Sequence, residues 1–515
     1  MQYTNALRRA KIVATVGPAT AGLEALRTIV RAGADVVRLN LSHGTHREHR
    51  QRIREVRTIA EQEQRHLAVL LDLMGPRYRL GEMKQPRTLQ EDERITLGDG
   101  EGYDLPLGKS GILELLEAGQ RMLIDQGLVE LQVEEKQPDH AVATVCSGGT
   151  VSSRKGINLP DSDLGFRITP KDRRDIAFAL AEGVDFVAAS YVGRAADLKA
   201  IRAVVAECGG DLPLVAKLER SQALDHLAEI VEEADAVMVA RGDLGVEVPI
   251  HRVPVLQKRI VEACRKRGKP VVVATQMLES MMTQPRPTRA EVTDIANAAL
   301  DGADALMLSG ETAAGEHPAE AVAVMSATIA SAEEFRRKNL RERVNLRRTS
   351  SETFGANEVG RLSEDFAQDI PDMVCAAAVY TAGQLKAVRL VAFSQSGFTG
   401  RLLARYRPST PIVLFTNSLP VARQLQLVWG VDPHYLPDRL EHHAEVIELV
   451  DRELLARGLA AAGEIIVALM ADPIRERTRT NLMRVHPVRT ETQWRAAERA
   501  PARKDPSSAT AGAKS

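Results

Sequence analysis

The sequence predicts an α/β protein: a TIM (β/α)8 barrel with an inserted small β-barrel lid domain, followed by a C-terminal α/β three-layer domain. Three observations lead to this prediction. Short β-branched runs alternate with helical segments from about Ala10 to Glu334. More than 100 residues interrupt this alternation between Asp72 and Phe186. A second alternating series begins after about residue 350.

The first series supplies the barrel. Segments such as LEALRTIVRAGA and LQKRIVEACRKRG have apolar residues every three to four positions and end in or near glycine, as helices do. Eight parallel strands with their helices close into a TIM barrel, although a doubly wound open sheet has the same local rhythm and remains an alternative. The eight apolar runs predicted as strands are residues 12–17, 36–41, 67–72, 186–191, 213–218, 236–240, 271–275 and 305–309.

The interruption and the second series define the other domains. Between residues 82 and 165 the pattern changes to short, polar-flanked strands with Gly and Asp at the turns, which predicts an inserted β domain. The barrel is therefore split into residues 1–81 and 166–345. Residues 346–490 are predicted to form the C-terminal α/β domain. The tail, residues 491–515, is rich in Ala, Arg, Lys and Ser and is predicted to be disordered.

Composition excludes several functional classes. The 515 residues include 68 Lys+Arg and 69 Asp+Glu, and only 3% are aromatic, so neither nucleic acid nor an anionic membrane is an expected partner. The four cysteines form no C-x-x-C pair, which argues against a disulfide framework or a zinc site. No signal peptide or membrane-spanning run is recognisable, and the predicted location is cytoplasmic.

Polar residues follow nearly every predicted barrel strand. In TIM barrels the active site lies where the strands end, so this rim is the predicted site. The residues are Gly17 after the first strand; Arg38, Asn40, Ser42 and His43 at the second; Asp72, Arg77 and Arg79 at the third; Ser190 at the fourth; Lys217 and Glu219 at the fifth; Arg241, Gly242 and Asp243 at the sixth; Thr275 and Gln276 at the seventh; and Ser309 and Glu311 at the eighth.

Two carboxylates on this rim, Glu219 and Asp243, are predicted to bind Mg²⁺, which takes one or two protein carboxylates plus substrate oxygens. Structural salt bridges are the alternative, but the rim position favours the metal site. Lys217 shares a strand face with Glu219 and, together with Arg38 and Arg79, could neutralise a transferring phosphoryl group.

Two further segments of the rim have weaker patterns. The loop ARGDLG could bind a carboxylate or phosphate through its backbone N–H groups. The triplet of histidines in HGTHREHR favours an exposed helix over a metal site, and only His43 is retained as a ligand contact.

Several sequence blocks resemble the pyruvate kinase family, in that family's order: KIVATVGP, RLNLSHGTH, AKLE, MVARGDLGVE, ATQMLESM, PRPTRAEVTDIANA and DGADALMLSGETAAGEHP. The resemblance is strong over residues 10 to about 335 and weaker beyond. It implies transfer of the phosphoryl group of phosphoenolpyruvate to ADP, which gives pyruvate and ATP in the last step of glycolysis, with Mg²⁺ or Mn²⁺ as cofactor. It also implies a homotetramer.

The resemblance implies a role for each matching residue. Lys217 stabilises the transferring phosphoryl group, Arg38 and Arg79 bind phosphate, and Arg79 and His43 contact the nucleotide. The backbone of Ala240, Arg241, Gly242 and Asp243, with the Thr275 hydroxyl, grips the substrate carboxylate. Glu219 and Asp243 hold the divalent metal, and Ser309 and Glu311 lie in the segment that protonates the enolpyruvate carbon.

Departures from the family pattern matter as well. The K⁺ ligands of many members correspond to Asn40, Ser42, Asp72 and Leu73, but Arg77 stands where those members have Glu. A tethered guanidinium can supply the charge of a monovalent cation, so weak or absent K⁺ dependence is predicted.

The C-terminal domain contains SQSGFTGR, which resembles the family's effector loop although Phe398 replaces the usual arginine. Ser394, Ser396, Gly397 and Thr399 are the predicted contacts for a sugar-phosphate or nucleotide effector. The alternative to an active enzyme is a catalytically weak relative that serves as a metabolite sensor or interaction protein. All the charged residues expected at the site, Arg38, Lys217, Glu219, Asp243 and Glu311, are nevertheless present.

Overall fold

The computed structural model describes most of the chain. The described residues are 8–75, 78–100, 102–108, 111–162, 165–349, 370–437, 443–472 and 479–499, and the side chains of 339–349, 443–444 and 496–499 are not described. By compactness the chain divides into two units, one of residues 1–356 with 420–433 and one of residues 357–419 with 434–515.

The first unit contains a closed barrel of eight parallel strands. Each strand pairs with its sequence neighbours, and the first strand also pairs with the eighth, which closes the sheet. The TIM barrel prediction is therefore confirmed and the open doubly wound sheet is excluded. The strands are Lys11–Thr15, Val36–Asn40, Ala68–Asp72, Phe186–Ala189, Leu214–Leu218, Ala236–Ala240, Val271–Ala274 and Ala305–Leu308.

Helices separate the barrel strands in the chain. Thr45, Thr169 and Thr288 each begin a helix by accepting the backbone N–H three residues later, which satisfies an otherwise unpaired donor. The α-helices are Leu23–Ala32, His46–Gln62, Pro170–Ala181, Ala195–Glu207, Gln222–Asp225, Leu227–Glu233, Arg241–Glu247, Val253–Lys266, Arg289–Asp301, Gly310–Ala313 and Pro318–Thr349, and the 3₁₀-helices are Pro18–Thr20, Ile250–Arg252 and Glu279–Met282.

Alternation along the strands divides the barrel core into two layers. One set of buried side chains, including Ile12, Val37 and Leu71, packs with the surrounding helices. The other set, including Val13, Val36 and Leu70, packs in a separate cluster inside the barrel. The polar residues that follow the inner set by two positions face the barrel axis as well, and this places the site at the carboxyl ends of the strands.

The inserted domain is a small β-barrel with its own apolar core. Its seven-stranded sheet is closed by a bridge between Leu80 and Leu107 and by hydrogen bonds from Gly81 N to Pro106 O and from Gly108 N to Arg79 O. The seven strands of this sheet are Tyr78–Arg79, Arg94–Asp99, Leu105–Leu107, Arg121–Ile124, Val129–Lys136, His140–Ser147 and Gly156–Asn158. Arg87–Leu89 and Gly149–Val151 form a separate two-stranded sheet, and the described part of the domain also contains the helix Ile112–Leu115.

Residues 420–433 belong to the compact unit of the barrel, although they are predicted to lie in the C-terminal domain. The reason is packing: Leu427 joins the cluster inside the barrel and Trp429 joins the surrounding core. The Trp429 N–H donates to Asp304, its indole N–H donates to Glu333, and Lys11 Nζ donates to the Val431 carbonyl. The exact domain boundaries stay predictions.

The second unit is an α/β domain, as predicted. Arg389–Phe393 pairs in parallel with Ile412–Thr416 and with Ile465–Met470, and Leu482–Pro487 pairs antiparallel to the latter. The sheet has a fifth strand, Val431–Tyr435. The helices of the C-terminal part are Ile370–Gln384, Phe398–Arg405, Leu419–Gln424, His443–Ala456 and Glu491–Arg499, with a 3₁₀-helix at Leu425–Leu427.

The prediction of a disordered tail is wrong for its first nine residues, because Glu491–Arg499 forms a helix. The Trp494 indole N–H donates to Asp451 at 2.9 Å, and the ring packs against the apolar core of this unit. A single tryptophan therefore holds this otherwise polar segment against the core of the unit, which the composition of the segment does not predict. Residues 500–515 lie outside the described part. Within the described residues, every helix is too short or too polar to cross a bilayer.

Candidate active site

At the carboxyl ends of the barrel strands, a layer of polar side chains follows the apolar residues that fill the barrel interior. Each of these residues comes two positions after an inward apolar residue, so each points to the same axis. The pairs are Val13 and Thr15, Val36 and Arg38, Leu70 and Asp72, Ala188 and Ser190, and Val215 and Lys217.

Lys217 occupies the centre of this layer. Its Nζ lies 2.7 Å from Glu219 Oε1, 2.8 Å from Ser190 Oγ and 3.1 Å from Asp72 Oδ1. Burial opposes the charged ammonium, but the carboxylates of Asp72 and Glu219 outweigh it and raise the pKa of Lys217. The ammonium therefore stays protonated with three fixed acceptors.

Arg38 and Asp72 form the second charged pair of the layer. Arg38 Nε and Nη2 each lie 2.8 Å from Asp72 Oδ2, and Nη1 donates to Thr15 Oγ1 at 3.0 Å. Burial alone would raise the pKa of Asp72, but Lys217 and Arg38 hold it below its ordinary value. Asp72 is therefore a fixed anion that orients both cations.

Glu219 and Asp243, the two predicted metal ligands, differ in exposure. Glu219 is 3% exposed, whereas Asp243 is exposed in the first turn of the helix Arg241–Glu247. Burial, with repulsion from Asp243 and Asp72, raises the pKa of Glu219 to about 7 even though Lys217 opposes the shift. Glu219 Oε2 also accepts the Tyr191 N–H at 2.8 Å.

These carboxylates fit a divalent cation that takes its other ligands from substrate and water. The raised pKa of Glu219 shows that its buried charge is incompletely compensated, and a cation between Glu219 and Asp243 would compensate it. In the described part of the chain, no group of three or more His, Cys, Asp or Glu residues is placed to hold a metal ion without such help.

The loop after the sixth strand meets the end of the seventh. Thr275 Oγ1 accepts the Gly242 N–H at 2.7 Å and donates to the Ala274 carbonyl at 2.6 Å. The Arg241 guanidinium is held by Asp294 at 2.7 Å and by the Thr275 carbonyl, so only its backbone is available to a ligand. The part of this loop predicted to bind the substrate carboxylate, Ala240 to Asp243, therefore lies beside Thr275, and its role stays a prediction.

Backbone strain marks the same rim. Tyr191, Thr275 and Gln276 have φ values of 61°, 70° and 54°, a left-handed region that residues other than glycine rarely adopt. Tyr191 lies two residues after the fourth strand, and Thr275 and Gln276 directly follow the seventh. Strain of this kind persists where surrounding contacts fix a functional geometry.

Glu311 is fully buried and ties two loops together. Its Oε1 accepts the Leu278 N–H at 3.0 Å and its Oε2 accepts the Ser309 N–H at 2.7 Å. Both oxygens are therefore engaged with backbone. The geometry makes Glu311 a positioning residue for Ser309 and for the loop after the seventh strand.

Replacing Glu311 by glutamine is expected to lower the free energy of unfolding by about 1 to 3 kcal/mol, because the amide can accept only one of the two buried N–H groups. Urea unfolding measures the change. Glu262→Gln, at a half-exposed carboxylate paired with Lys266, is the matched control and should change stability by about 0.5 kcal/mol or less. Equal effects of the two substitutions would contradict this role.

Arg79 and His43 are both exposed. Arg79 lies in the lid and donates to the Arg154 carbonyl at 2.8 Å. Two of the three neighbouring histidines have separate side-chain partners: His46 bonds to Asp175 and stacks on Phe178, while His49 bonds to the His43 carbonyl. The helix begins at His46, so His43 precedes it, and His49 is buried, so the expected exposed helix face does not include all three.

Of the residues matching a K⁺ site, Asp72 already pairs with Arg38 and Lys217. The Asn40 side chain accepts the Ser42 N–H, and the Leu73 carbonyl accepts the Ser190 hydroxyl at 2.8 Å. Arg77, on which the predicted K⁺ independence depends, lies outside the described residues.

The predicted effector loop lies in the second unit at the start of the helix Phe398–Arg405. Gly397 adopts φ 73° as its N-cap, and Ser396 Oγ accepts the Phe398 N–H at 3.4 Å. Ser394 is buried, and the Thr399 hydroxyl is buried and paired with Thr480 at 2.5 Å.

Two groups that support the site are not predicted from the sequence. Thr15 supports Arg38, and the Tyr191 N–H supports Glu219. Ser190 is predicted at a strand end without a role, and in the structure it contacts both Lys217 and Leu73. Thr15 lies two residues after the inward Val13, so the alternation along the strand could have identified it, whereas a backbone N–H leaves no such signal.

Comparison with known proteins identifies the family. The model of the pyruvate kinase barrel domain matches residues 7–322, and that of the pyruvate kinase alpha/beta domain matches residues 372–486. A pyruvate kinase of Geobacillus stearothermophilus is 38% identical over 488 residues, which is 93% of this chain and 80% of the relative. One of Agrobacterium vitis is 40% identical over 486 residues, 93% and 96% of the two chains.

A solved structure agrees with these sequence relatives. The crystal structure of a pyruvate kinase from Cryptosporidium parvum matches with a TM-score of 0.85 at 31% identity, over 94% of this chain and 97% of that one. None of the matches favours the alternative of a non-enzymatic sensor. The fold, the polar layer and the relatives agree, and the chain belongs to the pyruvate kinase family of phosphotransferases.

Proposed function

We propose that this enzyme transfers the phosphoryl group of phosphoenolpyruvate to ADP, which yields pyruvate and ATP in the last step of glycolysis in the cytoplasm. The observation that supports this most directly is the buried Lys217 ammonium, fixed by Asp72, Ser190 and Glu219. A preorganised cation at this point can stabilise the charge of a phosphoryl group in transfer without rearranging.

The charges around Lys217 favour a highly anionic substrate with a divalent cation. Arg38 and Lys217 are balanced by Asp72 and Glu219, and Asp243 adds one negative charge at the exposed side. We propose that Mg²⁺ or Mn²⁺ is held by Glu219 and Asp243. When bound, the cation polarises substrate oxygens and offsets the phosphate charge.

The other residues position the substrates. We propose that the Thr275 hydroxyl and the backbone from Ala240 to Asp243 receive the carboxylate of phosphoenolpyruvate. In this structure the Gly242 N–H donates to Thr275 Oγ1 and the Thr275 hydroxyl donates to the Ala274 carbonyl, so both donors would exchange these acceptors for the substrate carboxylate. Arg38 binds the phosphoryl oxygens, and the exposed His43 and Arg79 contact ADP. We propose that Ser309, whose N–H donates to Glu311, belongs to the segment that protonates the enolpyruvate carbon, and that closure of the lid excludes water.

A coupled assay tests the proposal: pyruvate formation should require phosphoenolpyruvate, ADP and Mg²⁺ or Mn²⁺ together. Absence of turnover in the purified chain, combined with saturable binding of phosphoenolpyruvate, would instead support a metabolite sensor. Light scattering would test the proposed homotetramer. A panel of sugar phosphates and nucleotides, run with Ser394→Asp as the comparison, would test the proposed effector site.

Activity is expected to be nearly unchanged when K⁺ is replaced by a tetraalkylammonium salt at equal ionic strength, because Arg77 can supply the positive charge. Steady-state assays in the two salts measure this. Arg77→Glu restores the residue common in K⁺-using relatives and should make activity K⁺-dependent. A fall of about tenfold in the unaltered enzyme without K⁺ would show that the guanidinium does not replace the ion.

A further inference from the structure

The turn after the seventh strand, which we call the strained turn, consists of Thr275 and Gln276. Their φ values of 70° and 54° both lie in the left-handed region. In that region the Cβ of any residue other than glycine comes too close to the following carbonyl oxygen. Two consecutive residues of this kind therefore keep the conformation only where contacts from other parts of the chain fix them.

Arg241, in the loop after the sixth strand, supplies contacts on both sides of Gln276. Its Nε donates to the Ala274 carbonyl at 3.3 Å, its Nη2 donates to the Thr275 carbonyl at 2.7 Å, and the same Nη2 contacts Met277 Sδ. The two carbonyls belong to the peptide groups that flank Thr275. One guanidinium therefore fixes the orientation of both peptide groups.

The Arg241 guanidinium is itself held in place. Its Nη1 lies 2.8 and 2.7 Å from the two carboxylate oxygens of Asp294 and donates to Gln257 Oε1 at 3.3 Å. The Arg241 side chain is 10% exposed, and Gln257 is buried. Charge-assisted hydrogen bonds of this kind are stronger than neutral ones. Since Nε, Nη1 and Nη2 all have partners, the side chain is a fixed support for the strained turn.

The strained turn carries the Thr275 hydroxyl, which is proposed to receive the substrate carboxylate. That hydroxyl donates to the Ala274 carbonyl and accepts the Gly242 N–H. When the hydroxyl turns to a carboxylate, Arg241 Nε remains as a donor to the Ala274 carbonyl. Relaxation of the turn to negative φ would rotate Thr275 and carry its hydroxyl away from Gly242.

We infer that Arg241 is a positioning residue: its guanidinium keeps the strained turn left-handed and so holds the Thr275 hydroxyl beside the Gly242 N–H, where the carboxylate of phosphoenolpyruvate binds. The inference rests on the proposed function for the identity of that carboxylate. The backbone of Arg241 then forms part of the carboxylate site, and its side chain shapes the part that comes from the seventh strand.

A double-mutant cycle in the full chain tests this role. Arg241→Met removes the donors, and Gln276→Gly removes the steric preference against left-handed φ at an exposed position. Arg241→Met alone should raise the KM for phosphoenolpyruvate about 10- to 100-fold, the size of one lost hydrogen bond to a charged group, with kcat changed about threefold at most. In the Gln276→Gly background the same substitution should raise KM about fivefold less, because the turn has less tendency to relax.

Amide hydrogen exchange gives a second measurement that does not depend on activity. Gly242 lies in the first turn of the helix Arg241–Glu247, where an N–H has no acceptor within the helix, so Thr275 Oγ1 is its protecting partner. In the ligand-free enzyme, Arg241→Met should speed exchange of this N–H about tenfold, and the Gln276→Gly background should reduce the acceleration. Arg241→Lys, which keeps the charge but not the planar fork of donors, should be intermediate in both measurements.

Arg202→Met is the matched control. Arg202 contacts the opposite end of the sixth strand, where it donates to the carboxylates of Asp235 and Glu233 and to the Glu233 carbonyl. Its loss removes an arginine with comparable partners and should leave KM and the exchange rate unchanged. Asp294→Asn keeps the Arg241 guanidinium but weakens its support, so it should shift both quantities in the same direction by a smaller factor. This variant keeps the test usable if the methionine variant folds poorly.

Two results would overturn the inference. Equal effects of Arg241→Met in the two backgrounds would show that the guanidinium does not hold the strained turn. Faster exchange of the Gly242 N–H at an unchanged KM would show that the turn does not serve the substrate. An unaltered enzyme that fails to turn over phosphoenolpyruvate would overturn the proposed function instead, and the exchange cycle would then decide by itself whether Arg241 holds the turn.

Discussion

Replacing Lys217 by methionine is expected to lower kcat by about 10³-fold or more, because the substitution removes the buried ammonium that we propose stabilises the transferring phosphoryl group. Mn²⁺ binding should be largely retained, since Glu219 and Asp243 remain. Methionine fills a similar volume, and Asp72 keeps its pair with Arg38, so the fold should persist. Steady-state kinetics and Mn²⁺ titration measure the two properties on the same preparation.

Lys258→Met provides the matched control. Lys258 is a half-exposed lysine paired with Asp301 on the outside of the barrel, so its loss removes the same charge without touching the polar layer. Its kcat should equal that of the unaltered enzyme. Near-normal turnover in Lys217→Met would remove Lys217 from the chemistry and leave it a structural cation.

Replacing Glu219 by glutamine is expected to weaken Mn²⁺ binding by about 100-fold, because a charged ligand oxygen becomes a neutral one. Glu333→Gln, at the opposite end of the barrel, should leave binding unchanged and serves as the control. Equal Mn²⁺ affinities in Glu219→Gln and the unaltered enzyme would place the metal elsewhere.

The pH dependence gives a second test of the same residue. Glu219 has a pKa of about 7 in the metal-free fold and must lose its proton to bind a cation, so Mn²⁺ affinity should fall about tenfold per pH unit below that value. Glu219→Gln should lack this dependence. In the metal-free protein the raised pKa means that Glu219 lowers stability as pH rises from its ordinary value of 4.5 toward 7, and a bound cation should reverse that loss.

Much of the site could be predicted because barrel geometry is regular. Once the eight strands are located, alternation determines which residues face the axis, and the C-terminal ends of parallel strands meet on one rim. Lys217, Glu219 and Arg38 follow from this alone. The identity of the substrate does not follow; it came from the family's sequence blocks.

Other features depend on partners that are distant in sequence. Glu311 looks like a reactive carboxylate in the sequence, and only its two backbone donors reveal its positioning role. The Arg241 side chain is turned away by Asp294, 53 residues later. The helix at Glu491–Arg499 depends on the contact of Trp494 with Asp451. Contacts between residues so far apart in the chain produce no periodic sequence pattern from which they could be predicted.

The placement of Leu427 has a consequence for biosynthesis. This side chain is fully buried inside the barrel, more than 100 residues after the last barrel strand. Chains emerge from the ribosome N-terminus first, so the eight strands are all synthesised before the residue that completes their interior. Until Leu427 has been synthesised, the interior of the nascent barrel lacks this apolar side chain. A gene fragment ending after the last barrel helix would therefore encode an incomplete enzyme rather than a minimal one.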